Sequence, residues 1–223
     1  MLLALHAITS RETEHMNIVV YGDSMSWGII PGTRNRLPTD KRWAGVLQSS
    51  LGEEYRIIEE CLNGRTTQFE DVNRPARNGL KHIQMLLESH SPIDLVIVML
   101  GINDFQDIIG VSSKESALGL KALINKIQSL SPEPMKRAAQ ILAIIPPEIK
   151  EPLGMMADKF SGYERGDGSE LEYLDVLNGL SVHTLAASKH ITLSKVDGFH
   201  LDEPEHLTLG QAVARKVIEI GRM

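Results

Sequence analysis

The chain has a single cysteine, Cys61, in 223 residues. An intrachain disulfide is therefore excluded, and a reducing, cytoplasmic setting is expected. No apolar window approaches the length of a membrane span, so none is expected. The formal charge is −6 at pH 7 and no dense Lys/Arg run offsets it, which argues against a sequence-independent hold on nucleic acid. GxGxxG and Walker loops are missing, so nucleotide-driven chemistry is not expected, and neither HExxH nor CxxC occurs to hold a metal. No Gly-x-Ser-x-Gly elbow occurs either. There are no internal repeats and no low-complexity tract.

What remains is a chain with 42% hydrophobic residues, enough for one substantial core and a single domain over residues 16–223. Residues 1–15 read as a leader or arm. Met1-Leu2-Leu3-Ala4-Leu5 is apolar but lacks a basic n-region and is short for a secretory segment.

The apolar run Ile18-Val19-Val20-Tyr21 stops at Gly22-Asp23-Ser24-Met25. Four β-formers ending in this way describe a buried parallel strand that delivers Ser24 to the carboxyl edge of a sheet. A serine hydroxyl is a weak nucleophile until a base takes its proton, so Ser24 needs partners elsewhere. Near the C-terminus, Asp197-Gly198-Phe199-His200 sets a carboxylate and an imidazole three residues apart. In a short turn the two can meet, one as orienter and the other as base. Taken alone, the spacing reads more simply as a surface turn.

A second strand, Leu95 to Leu100, ends in Gly101-Ile102-Asn103-Asp104, where the Asn103 amide can face a developing oxyanion. A third, Tyr55 to Glu59, leads through Cys61 to Gly64, whose missing Cβ lets the backbone N–H approach a ligand closely. Each of these also fits an ordinary turn.

Taken in order, the four blocks resemble the SGNH (GDSL) hydrolase superfamily. Gly22 to Gly28, Arg42 to Leu47 and Gly64-Arg65-Thr66-Thr67 resemble most the bacterial arylesterase/acyltransferase group. The resemblance implies Ser24 as nucleophile, His200 as general base and acid, and Asp197 as its orienter. It implies an oxyanion site made by the N–H groups of Ser24 and Gly64 and the Asn103 amide. The expected activity is cofactor-independent, metal-free hydrolysis of small, acetyl or short-acyl esters, with acyl transfer to an alcohol where water is excluded. A lysophospholipase, a thioesterase or a carbohydrate acetylesterase would use the same residues. A non-catalytic phosphate-binding module, with Gly22-Asp23-Ser24 opening a helix, is the reading from another class; it has no use for His200 or Asn103. Met25, Trp27, Phe105 and Phe199 adjoin the motifs and are candidates for an acyl or aryl pocket.

Strands are expected at 18–21, 55–59, 95–100, 139–145 and about 190–193. Helices are expected over 79–89, 116–130, 171–188 and after His200, where Asp202 and Glu205 suggest a capping box. The alternation indicates an α/β fold with a parallel sheet between helical layers, which the resemblance makes a five-stranded, flavodoxin-like, three-layer sandwich. Long loops at 29–41 and 146–167 are expected to wall the site and, in the group resembled, to build contacts in a homo-oligomer.

Overall fold

A computed structural model describes residues 15–130 and 138–221. The leader proposed from the sequence therefore lies outside the described residues, apart from His15. Five parallel strands form one sheet: β1 (Met16–Gly22), β2 (Tyr55–Cys61), β3 (Leu95–Met99), β4 (Gln140–Ile145) and β5 (His183–Ala186), in the order β2-β1-β3-β4-β5. Connecting helices cover both faces, as right-handed crossovers between parallel strands require.

The inner stretches of the central strands, Ile18 to Tyr21, Leu95 to Met99 and Ile141 to Ile145, are apolar because both of their faces are buried. Side chains alternate across the sheet, so Ile18 and Val20 join one core cluster while Val19 and Tyr21 join the other. The first cluster takes in the helices α2 (Trp43–Leu51) and α6 (Glu203–Gly221); the second takes in α3 (Gly79–His90), α4 (Ser113–Ser129) and α5 (Ser169–Leu177). Strand order reverses at β1, with β2 on one side and β3 on the other. The crevice above β1 and β3 is thus the topological switch point, where open α/β sheets bind ligands.

Three sequence expectations are corrected. The predicted helix over 171–188 stops at Leu177, and Gly179 follows with φ of 79°. The fifth strand is His183–Ala186, where Leu142 pairs with His183 and Ile145 with Ala186, and not 190–193. His-Thr-Leu-Ala carries one β-branched residue, so edge pairing rather than propensity makes it a strand. The capping box occurs at α4, between Ser112 and Glu115, instead of α6. Asp202 accepts a hydrogen bond from the Ser194 hydroxyl and Glu205 one from Thr192, so both carboxylates tie α6 to the preceding segment.

Candidate active site

Ser24 opens the one-turn helix α1 (Ser24–Trp27), directly after β1. Asp23 caps that turn by accepting the Met25 N–H at 3.0 Å. Ser24 Oγ lies 3.0 Å from His200 Nε2, and His200 Nδ1 lies 2.7 Å from Asp197 Oδ2. All three side chains are buried. With a carboxylate at Nδ1, that nitrogen carries the proton, and Nε2 is left to accept the Ser24 hydroxyl.

Local chemistry builds the Asp197 turn. Asp197 Oδ1 accepts the N–H groups of Phe199 and His200 at 3.0 and 2.9 Å, and Oδ2 accepts that of Gly32 at 3.1 Å. Ser194 N–H donates to the His200 carbonyl at 2.8 Å, closing the turn on itself. Burial pushes the Asp197 carboxyl upward, but the bonds from the His200 ring and these amides outweigh it and hold the group down at about 2.

Asn103 sits in a 3-10 turn (Ile102–Phe105) directly after β3. The turn is entered through Gly101, whose φ is 133° and whose missing side chain leaves room for the Tyr173 phenol. Asn103 Nδ2 donates to Asp23 Oδ2 at 3.0 Å, and Gln106 Nε2 donates both to Asn103 Oδ1 at 3.1 Å and to its carbonyl at 2.9 Å. Arg74 Nη2 donates to Gln106 Oε1 at 2.8 Å, so a chain of bonds runs from Arg74 through Gln106 and Asn103 to Asp23. Asp104 anchors the same turn by accepting from Thr67 N–H, Thr67 Oγ1 and Ser116 Oγ at 2.9, 2.6 and 2.6 Å. Gly64 has φ of 81°, and a Cβ there would run into the Arg74 guanidinium. Neither the Ser24 nor the Gly64 N–H has a protein acceptor among the described residues.

Ser24, Gly64, Asn103 and His200 all line one cavity of about 490 Å³. Its remaining walls come from Asn63, Arg74 and Phe199 and from the two long loops: Ile29, Thr33 and Arg34 from one, Met155, Met156 and Lys159 from the other. Of the four pocket candidates, Phe199 lines the cavity and packs on Phe160, with ring centroids 4.5 Å apart. Met25 and Phe105 are buried in the core instead, and Trp27 lies beneath the Arg36 guanidinium at 4.7 Å, outside the cavity lining. Sequence reading also missed Gln106, Arg74 and Lys159. Gln106 lies three residues beyond Asn103, the spacing that lets a side chain fold back onto a turn; the two cations carry no local signal.

Such an arrangement offers a hydroxyl on a base, a base on a carboxylate, and three N–H donors around one cavity. Comparison with known proteins shows the family. Residues 20–201 match the model of the GDSL-like Lipase/Acylhydrolase family. A carbohydrate acetylesterase from Sinorhizobium meliloti is 32% identical with a TM-score of 0.86, over 92% of this chain and 99% of that one. An inhibitor-bound aryl esterase of M. smegmatis is 30% identical with a TM-score of 0.86, over the same shares of the two chains. No protein with a curated description matches in sequence.

Proposed function

The chain belongs to the GDSL-like lipase/acylhydrolase family, and from that premise we propose that it is a serine esterase acting on acetyl or other short-acyl esters of aryl or sugar alcohols. The observation that carries this reading is the continuous chain from Ser24 Oγ through the His200 ring to Asp197, at 3.0 and 2.7 Å, opening on a cavity. Ser24 Oγ attacks the ester carbonyl carbon while its proton passes to His200 Nε2. The oxyanion forms against the N–H groups of Ser24 and Gly64 and the free hydrogen of Asn103 Nδ2. Asp197 stabilises the imidazolium and keeps its tautomer fixed. When the C–O bond breaks, His200 returns the proton to the leaving alkoxide. Water, deprotonated by the same ring, then attacks the acyl-enzyme and releases the acid.

The names of the two relatives support acetyl and aryl esters, and the apolar wall of Ile29, Met155, Met156 and Phe199 supports a small acyl or aryl group. The expected homo-oligomer draws support from the loop residues Leu153 and Met155, which expose apolar surface; a monomer in sedimentation velocity would refute it. Among the described residues no helix is long and apolar enough to cross a membrane.

Initial rates on p-nitrophenyl esters from acetate to decanoate test the central reading. Acetate is expected to turn over fastest, and Ser24→Ala to lower kcat by about 10⁴-fold or more. A rate unchanged by that substitution would discard the serine mechanism.

A further inference from the structure

The cavity's charge is one-sided. Arg34, Arg74 and Lys159 line it, and no carboxylate does. Arg74 is already answered, by Asp71 at 2.6 Å and by Gln106. Arg34 and Lys159 are not: among the described residues, no carboxylate lies within ion-pairing distance of either side chain.

Lys159 is not a surface lysine on a free stem. It is half-buried, with Nζ 5.8 Å from the Phe160 ring centroid. Its carbonyl accepts the Asp107 N–H at 3.0 Å and its own N–H donates to Met156 at 3.1 Å. The next two residues are clamped in turn, Ser161 and Gly162 donating to the Asp107 carboxylate at 2.9 and 3.1 Å. The segment is thus fixed to the turn that carries Asn103. Lost hydration, followed by repulsion from Arg74, brings the Lys159 amine down to about 8; Asp71 offsets part of this, and Arg34 and Arg77 add to it. An anion entering the cavity relieves both penalties, and a neutral ligand relieves neither.

Resting on the esterase reading above, we propose that Lys159 and Arg34 form an anion subsite, so that the preferred substrates carry a carboxylate or phosphate group besides the scissile ester. An acetyl group has no place for such a charge, which puts the anion on the leaving alcohol.

Binding separates this proposal from the activity. Titration calorimetry on Ser24→Ala protein would use three amides that mimic the ester without being cleaved. These are 4-acetamidobenzoate, 4-acetamidophenyl phosphate and the neutral 4-acetamidobenzamide. At least one anion is expected to bind about tenfold more tightly than the neutral amide. The tighter of the two anions identifies the source of the charge. Adding Lys159→Met and Arg34→Gln is expected to bring the anion-to-neutral ratio of Kd close to one; a merely structural loss would weaken all three ligands together. Equal binding of the three, absence of binding by either anion, or a ratio that survives both substitutions would overturn the subsite. Wild-type rates on 4-acetoxybenzoate and phenyl acetate judge the esterase reading separately: inactivity on both sinks that reading, while the amide ratios still decide the subsite.

Discussion

Two buried aspartates adjoin Ser24, Asp23 as its chain neighbour and Asp197 through His200, and their surroundings drive them in opposite directions. Asp197 accepts three backbone N–H groups and an imidazole N–H, and is held down at about 2. Asp23 accepts one backbone N–H and one neutral amide; burial dominates, the two donors only partly oppose it, and the carboxyl rises to about 7. Burial alone does not decide a carboxylate's charge. Asp23 is the more deeply buried and has the fewer donors, and the two differences together drive the carboxyls apart. Asp197 is therefore an anion near neutral pH, suited to an imidazolium. Asp23 is partly protonated near neutrality and serves chiefly as an anchor for Asn103.

The strongest way to break this contrast is Asp197→Asn. It keeps the shape but removes the charge and favours the wrong histidine tautomer, so kcat should fall by about 10⁴-fold; steady-state rates on p-nitrophenyl acetate check it. Asn103→Ala removes an oxyanion donor and should lower kcat by about 10²–10³-fold with KM little changed. Asp23→Asn is subtler. Met25 and Asn103 donate to different oxygens of Asp23, and the amide keeps an acceptor at only one of them; with that oxygen on the Met25 N–H, the Asn103 amide loses its anchor. A fall of about tenfold in kcat is expected, with KM near wild type, because small misplacement of a donor costs transition-state stabilisation. Gln106→Leu should act the same way and more weakly, since Asp23 still holds Asn103 from the other end.

The contrast extends to stability, where the two effects have opposite signs. Asp197 lies below its ordinary 3.8 in the folded protein, so its contribution is present above about pH 4 and is lost as pH falls toward 2. The loss corresponds to about 2 kcal/mol. Asp23 lies above 3.8, so its contribution is present below about pH 4 and is lost as pH rises through 7. Urea midpoints measured from pH 3 to pH 8 should show Asp197→Asn flattening the acid side and Asp23→Asn flattening the side toward neutrality. Parallel curves for the two variants would refute the contrast.

The sequence made parts of this site readable because strand ends punctuate themselves. Val20-Tyr21-Gly22-Asp23-Ser24 and Val98 to Asn103 each pass from unbroken apolar residues to glycine and a polar group, and the sheet places both at its carboxyl edge. The Asp197 to His200 spacing taken alone reads as a surface turn, and only the four blocks together, through the resemblance they carry, singled it out. The fifth strand was not readable, since His183–Ala186 has few β-formers and pairs along one side only. Arg34, Arg74 and Lys159 were hidden for a different reason: they come from three separate irregular segments, and only the folded chain sets them around one cavity. Met25 and Phe105 misled because adjacency to a motif in sequence says nothing of which way a side chain points.

The Gly32 amide ends its reach at Asp197, and that single bond has a practical consequence. The segment that brings Arg34 to the cavity wall also supplies a donor to the carboxylate bonded to the His200 ring. One loop therefore both lines the cavity and braces the Asp197 carboxylate. Anyone grafting a foreign 29–41 loop to redirect selectivity must keep an N–H at position 32, which rules out proline there, or accept a weaker base as the cost of a new specificity.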